Sequence, residues 1–103
     1  MDFIIQAMKK HVLFSFIKPE RNDGFWFLCL KHAYSLEVKG SLRCLKNDEV
    51  EIDAEGEEPN LMKFYDWLNS FEDLRVILTS LAPLPKQSHY REFDIYLLPN
   101  LNN

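Results

Sequence analysis

One short loop in the first quarter of the chain carries the residue types that could bind an anion: Lys18, Arg21, Asn22, Asp23 and Gly24. Lysine and arginine supply positive charge, and a guanidinium pairs well with a phosphate or a carboxylate. The loop therefore predicts a site for a small anion, phosphate or carboxylate, within residues 18–26. The alternative is that these are ordinary exposed loop residues, and the residue types alone leave both interpretations open.

The two cysteines, Cys29 and Cys44, are the next candidates for chemistry. They are too few for a disulfide framework, and no CxxC motif or Cys/His metal spacing surrounds them. A reactive cysteine needs nearby positive charge or a helix terminus to lower its pKa. Arg43 adjoins Cys44, but neighbouring residues on a strand point to opposite faces. We therefore expect two small buried thiols in a reducing compartment, with a nucleophilic or redox-active Cys44 as the alternative.

The three histidines, His11, His32 and His89, have no spacing typical of metal ligands. His32 falls on the apolar face of a helical pattern, which favours a place at the edge of the core. The sequence predicts neither a bound metal nor a cofactor.

Four acidic residues alternate with three apolar residues in one segment: Glu49, Val50, Glu51, Ile52, Asp53, Ala54 and Glu55. Period-two alternation is typical of a strand with one face on a core and the other in water. Because the carboxylates stand in a line along that strand, we interpret them as a solvated face and not as a metal cluster.

Composition limits the partners and the location of the chain. The formal net charge is −4, with 16 acidic and 12 basic residues, and the basic residues do not cluster. A nucleic-acid or anionic-membrane partner is therefore not expected. No stretch approaches the ~20 apolar residues that span a bilayer, and the apolar run at the start is too short for a signal peptide. We expect a cytoplasmic protein, and a protein partner is possible but nothing in the sequence identifies it.

Alternating and helical periodicities give the elements that position these residues. The pattern predicts a strand over 11–18, a helix over about 24–34 capped by Asn22 or Asp23, and a hairpin whose second arm is the acidic strand, with a turn at residues 47–48. A second helix follows to about residue 69, then a strand over 74–81 and a last strand in the segment "EFDIYLL".

This order predicts an α+β, ferredoxin-like βαββαβ sandwich, with two helices on one face of an antiparallel sheet and an added C-terminal strand. The domain is expected over residues 11–98, after an N-terminal arm or short helix at 1–10 and before a tail at 99–103. The composition of the polar connection at 83–91 does not indicate a role for it.

Two segments of the chain also resemble the signatures of the acylphosphatase family, within a resemblance that covers about residues 12–97. "FIKPERNDGFW" stands where the family has a pattern like V-x-G-x-V-Q-G-V-x-F-R, and "GSLRCLKNDEVEIDAEG" where it has one like G-W-V-x-N-x-x-x-G-x-V-x-x-x-x-x-G. Neither segment needs a gap. Four residues of the second segment match the family: Gly40, Arg43, Val50 and Gly56.

The resemblance implies an active site, and it also implies that the catalytic residues of that site are replaced in this chain. In the family, an arginine that ends the first signature grips the phosphate of an acyl phosphate, and an asparagine in the second positions the attacking water. Here the arginine position is Trp26 and the asparagine position is Cys44, while Lys18 and Asn22 replace loop glycines. No catalytic residue can therefore be assigned with the family's chemistry, and Trp26 either plugs the old site or offers a stacking surface.

The expected function is therefore an acylphosphatase-like domain that has lost ordinary acyl-phosphate hydrolysis and serves as an anion-, ligand- or protein-binding module. The alternative is a non-standard acylphosphatase that hydrolyses an acyl phosphate to carboxylate and phosphate, with Arg21 or Lys18 as the cation that binds the phosphate.

Overall fold

A computed structural model describes residues 9–19, 24–84 and 90–96 of the chain. Its elements are β1 (Lys9–Ile17), α1 (Phe25–Ser35), β2 (Lys39–Cys44), β3 (Glu49–Glu57), α2 (Glu58–Asn69), β4 (Ile77–Pro83) and β5 (Phe93–Tyr96). A single 3-10 turn over Lys46–Asp48 joins β2 to β3. The order strand, helix, strand, strand, helix, strand, strand is the predicted one.

The five strands form one sheet in the order β4-β1-β3-β2-β5. The first four strands pair antiparallel, which confirms the ferredoxin-like plan, whereas β5 pairs parallel with β2. The reason is where the chain re-enters the sheet. β4 ends beside the start of β1, at the same end of the sheet where β2 starts, so a strand that begins there runs in the direction of β2. The complete sheet is therefore mixed.

Period-two alternation places the core on one face of the sheet. The buried side chains of β1 and β3 that face the helices are Val12, Phe14, Phe16, Val50, Ile52 and Ala54. β-branched and aromatic residues suit the pleated surface, and each large one that is fully buried contributes about 1.5–3 kcal/mol. The turn between the arms of the hairpin lies at Asn47 and Asp48, as predicted, because both residues adopt the left-handed backbone that the turn needs.

α1 packs on the sheet through residues spaced by four: Phe25, Cys29 and Ala33. The helix begins at Phe25, and its N-cap is Gly24 in the left-handed region (φ 80), with no side-chain cap. The prediction that Asn22 or Asp23 caps this helix was therefore wrong. Glycine takes that position because it adopts positive φ without a steric penalty.

α2 supplies the other half of the helical layer through Leu61, Phe64 and Leu68. Pro59 lies in its first turn, where the missing N–H of proline costs nothing. The two helices meet in an aromatic cluster. The rings of Phe25 and Trp67 are stacked there, with their centroids 6.3 Å apart. His32 lies at the edge of this cluster, as expected of a residue at the edge of the core. The centroid of its ring is 3.9 Å from that of Trp67.

The last two strands differ from their predicted bounds. β4 begins at Ile77, later than predicted, because Leu74 and Val76 leave the ladder and bury their side chains in the core. It continues to Pro83, which β4 tolerates because it is an edge strand. β1 begins at Lys9, two residues before the predicted domain boundary. The remainder of the predicted arm, the tail and the last residues of the segment "EFDIYLL" lie outside the described residues.

Candidate functional site

The loop end of the sheet is the end at which β1 and β2 finish and α1 begins. We define it by six described residues: Lys18, Pro19, Gly24, Trp26, Cys44 and Asp48. Three of the predicted anion-binding residues, Arg21, Asn22 and Asp23, lie outside the described residues, so their prediction is untested. The other two, Lys18 and Gly24, lie on the two sides of that gap.

Lys18 is a described cation at the end of β1. Its side chain is exposed and makes no ion pair with any residue in the described ranges. Its backbone N–H donates to the carbonyl oxygen of Asp48 at 2.7 Å, which ties the end of β1 to the hairpin turn. Pro19 has no N–H to offer. These two successive backbone positions are therefore not available as hydrogen-bond donors to an anion, although the ammonium group of Lys18 is.

Trp26, the second residue of α1, is packed against the core. Its ring lies edge-on to the ring of Phe25, with the centroids 5.2 Å apart, and Phe25 is itself buried. Indole carries one N–H donor and no charge, so this side chain cannot replace a guanidinium in pairing with phosphate. The packing favours the interpretation of Trp26 as an apolar plug over that of a free stacking surface.

Cys44, the last residue of β2, is half-buried and partly packed on the core. Burial raises the pKa of its thiol, the charge of Lys18 opposes that shift, and Asp48 adds to it. The thiol is therefore neutral near pH 7, which argues against a nucleophilic Cys44. Arg43 is directed to Glu51, with its Nη2 3.7 Å from Oε1. Its charge is therefore not placed to stabilise a thiolate at Cys44. Burial raises the pKa of Cys29 still further, to about 12.

One glycine of the second signature has a clear structural reason. Gly40 adopts φ 148 at the start of β2, and a Cβ there would overlap the carbonyl oxygen of Asp53 on β3. Only glycine allows the two strands to approach this closely. The match at Gly40 thus reflects the backbone of the sheet and carries no chemistry.

A polar cluster on the helix-free face of the sheet was missed by the sequence analysis. The imidazole Nε2 of His11 hydrogen-bonds to Oδ1 of Asp53, and the hydroxyl of Tyr90 donates to Oδ2 of the same carboxylate at 2.8 Å. Ser41 lies 3.5 Å from the Tyr90 oxygen. Burial is the main cause that raises the pKa of Tyr90, so its hydroxyl stays protonated and able to donate.

The interpretation of the acidic strand as a solvated face was wrong at two of its four carboxylates. Asp53 is held by His11 and Tyr90, and the side chain of Glu55 is 2% exposed. The alternation correctly directed both residues away from the core. It could not show that the chain around residue 90 returns to cover this part of the second face, because that depends on where β5 enters the sheet.

The part of the chain that the structure describes contains neither a metal-binding cluster nor a membrane-spanning helix. Within residues 9–19, 24–84 and 90–96, no group of three His, Cys, Asp or Glu side chains is arranged to hold a metal ion. In the same ranges, no helix has the length and the apolar character needed to cross a membrane.

Comparisons with known proteins converge on one family. The family model described as "Acylphosphatase" matches residues 22–95. An acylphosphatase from Coxiella burnetii has a TM-score of 0.68 at 18% identity, over 86% of this chain and 94% of that chain. The acylphosphatase from Bacillus subtilis has a TM-score of 0.62 at 19% identity, over 86% of this chain and 99% of that chain.

The fold is also shared outside this family. A bacterial light-regulated adenylyl cyclase matches with a TM-score of 0.71 at 12% identity, over 88% of this chain and 28% of that chain. At such identities, a likeness to a solved structure shows the fold alone. The comparison with curated proteins found no match. The assignment to a family therefore depends on the family model, which covers more than half of the chain.

Proposed function

The chain belongs to the acylphosphatase family, and from that premise we propose that it has lost ordinary acyl-phosphate hydrolysis and works as a module that binds small anions at the loop end. The observation that carries this proposal is the packing of Trp26. At the position where the family places its phosphate-gripping arginine, this chain has an apolar ring seated on Phe25.

Cys44 supports the loss of hydrolysis. A neutral thiol is a weak hydrogen-bond donor and a weak acceptor, so it cannot position a water molecule as an amide does. Removing one preorganised donor costs on the order of 10²–10³ in rate. Two such losses together would remove most of the family's rate enhancement.

Lys18 supports the binding of an anion. It is an exposed ammonium group without an ion-pair partner among the described residues, and it lies close enough to Cys44 for its charge to lower the pKa of that thiol. A small anion at this place would be phosphate or a carboxylate. The free thiols Cys29 and Cys44 fit a reducing, cytoplasmic setting for the module.

The placement of Lys18 also favours a second candidate. With Lys18 or Arg21 as the cation that binds the phosphate, the chain would be a non-standard acylphosphatase that uses a relocated charge. This candidate keeps the family's reaction and changes only the residue that grips the substrate.

Two measurements on the purified protein test the proposal. We expect benzoyl phosphate to hydrolyse at the rate of the buffer alone. We also expect inorganic phosphate at about 10 mM to shift the NMR amide signals of Lys18 and of the first turn of α1. The matched control is Lys18→Ala, which should weaken the phosphate shifts, against Lys63→Ala on the exposed face of α2, which should not.

Other outcomes separate the candidates. Turnover above the buffer rate that disappears in Lys18→Ala or Arg21→Ala would establish the second candidate. The absence of any shift with phosphate would contradict the anion-binding role. The double variant Trp26→Arg with Cys44→Asn should raise hydrolysis about 10²-fold above the natural protein, because it restores both family groups.

A further inference from the structure

The helix-free face of the sheet carries exposed apolar side chains on β1 and β4. Strand alternation directs Leu13 and Ile17 away from the core, and register places Ile77 opposite Ser15, diagonal to both. Diagonal positions on neighbouring strands lie about 7–8 Å apart, within reach of long side chains. Ile17 is 63% and Ile77 58% exposed, although isoleucine is among the residues most often buried. We call Leu13, Ile17 and Ile77 the apolar patch.

Two carboxylates on β3 border the apolar patch. Register pairs Ile17 with Glu49 and Ser15 with Glu51, so both carboxylates lie on the same face, one strand away. Glu49 is exposed, and its side chain makes no ion pair or hydrogen bond among the described residues. Glu51 faces Arg43 at 3.7 Å, which is longer than a hydrogen bond, so its oxygens can still accept one. We call Glu49 and Glu51 the acidic border.

The charge of the helix-free face changes from the β4 edge inward. The edge strand β4 has no charged residue over Ile77–Pro83, and six of its seven residues are exposed. Next to it, β1 carries the apolar patch, and the acidic border follows on β3. Asp53, further along β3, is already held by His11 and Tyr90. Of these three carboxylates, the two beside the apolar patch are therefore the open ones.

From this arrangement we propose that the helix-free face docks an amphipathic helix of a partner protein, with an apolar stripe on the apolar patch and lysine or arginine residues along one flank on the acidic border. Neighbouring strands lie about 4.8 Å apart, so a helix about 10 Å wide covers the three strands β4, β1 and β3. The patch extends about 14 Å along β1, from Leu13 to Ile17, which about nine helical residues cover. Apolar burial supplies most of the attraction, and the charge pairs fix the orientation of the helix.

Charge complementarity selects this partner. Nucleic acid or an anionic membrane would bring negative charge to the acidic border, and like charges repel. A second copy of the chain would bring two more carboxylates with its own apolar patch. A basic amphipathic helix offers both an apolar surface and positive charge, arranged side by side as the face requires. The surface is separate from the proposed anion site, because the charge of Lys18 acts on Cys44, which packs against the core on the other side of the sheet.

The test uses the full chain and two synthetic peptides. The first is a helical peptide of about 14 residues, made of leucine and lysine, whose leucines recur every three or four residues. The second has glutamate in place of each lysine. We expect the lysine peptide, titrated to about 1 mM, to give saturable NMR amide shifts confined to residues 13–17, 49–51 and 77–79. The glutamate peptide should bind at least about tenfold more weakly, because it carries the same sign of charge as the acidic border.

One set of variants tests the apolar contact. Ile17→Ser and Ile77→Ser should each weaken binding of the lysine peptide about threefold to tenfold, because each removes apolar surface from the patch. Both side chains are exposed, so the core stays intact. The matched control is Phe27→Ser on α1, where the ring is 62% exposed, and it should leave binding unchanged.

A second set of variants tests the charge contact. Glu49→Gln together with Glu51→Gln keeps the shape of both side chains and removes their charges. This pair should weaken binding several-fold and reduce its dependence on salt. The matched control removes two charges elsewhere, by Asp66→Asn on the exposed face of α2 together with Glu72→Gln, and should change binding little.

Four results would overturn the proposal. The first is that the lysine peptide shifts none of these strand residues at its highest concentration, and the second is that both peptides bind equally. The third is that the shifts spread over the whole surface, which would show only attraction to the net charge of −4. The fourth is that the same residues shift when the protein alone is concentrated, which would assign the face to a second copy. Failure here leaves the loop end untouched, because phosphate shifts are read at Lys18 and α1.

Discussion

The two ends of the sheet differ in their side chains. At the loop end, Trp26 and Cys44 pack against the core, and the Trp26 ring lies edge-on to Phe25. At the opposite end, three cations and four carboxylates line a half-open pocket of about 520 Å³.

The difference teaches which part of a signature belongs to the fold. Phe25 and Gly40 stand at signature positions and serve the core and the sheet, whereas Trp26 and Cys44 stand at the positions to which the resemblance assigns chemistry. A structural match at a signature therefore says little about activity until each polar position has been examined.

The largest expected effect is on the free energy of unfolding, and it comes from replacing one glycine at each end of the sheet. Gly40→Ala should lower the free energy of unfolding by about 3 kcal/mol or more, because its Cβ would collide with the backbone of Asp53. Gly24→Ala at the loop end meets no atom within 4 Å and should cost only about 1–2 kcal/mol, for its left-handed backbone. Urea unfolding measures both, and equal losses would contradict this distinction between the ends.

A smaller effect tests whether Trp26 is a plug. Trp26→Ala should lower the free energy of unfolding by about 2 kcal/mol, because a half-buried ring leaves the surface of Phe25. The matched control is Phe27→Ala on the next position of the same helix, where the ring is 62% exposed and the loss should be within about 0.5 kcal/mol. If both variants lose equally little free energy of unfolding, the Trp26 ring is not packed on the core. That result would favour the interpretation of Trp26 as a stacking surface.

The smallest effect concerns the polar cluster on the helix-free face of the sheet. Tyr90→Phe should cost about 1 kcal/mol at about pH 7, the usual worth of one hydrogen bond. The pKa of Tyr90 is raised in the folded protein, mainly by burial. Its contribution is therefore complete below the ordinary tyrosine pKa of about 10 and decreases as the pH rises above it.

The measurement for Tyr90 is the difference in urea midpoint between the natural protein and the variant. That difference should be largest at about pH 7 and shrink by about pH 11, because the natural protein alone loses the Tyr90 contribution. A difference that grows with pH would show that the hydroxyl is not held as a donor to Asp53.

Most of the fold was predictable because local periodicity determines it. Alternation in β1 and β3 and the spacing of apolar residues in α1 and α2 are properties of neighbouring residues, which a sequence displays directly. The bounds of β4 were less predictable. Leu74 and Val76 look like strand residues, but the core buries them outside the ladder, and this is a tertiary preference.

The sites were predictable only where a motif names the positions. The resemblance drew attention to Trp26 and Cys44, and the structure then supplied their packing and the direction of the pKa shift at Cys44. Glu55 and Tyr90 belong to no motif. They come together with His11 and Asp53 through strand register and the entry point of β5, and neither can be derived from residue types alone.

The parallel strand β5 also has a consequence for the order of folding. Its pairing partner is distant in the chain, since Phe93 pairs with Gly40 across 53 positions, whereas the hairpin of β2 and β3 closes within a few residues. Closing a long loop costs more conformational entropy and follows the formation of local contacts. β5 therefore joins a sheet that already exists, and its first residue, Phe93, closes the core against Phe64 when it does so. Late pairing and full burial thus meet in one residue, so the core of this domain is complete only when its last strand is in place.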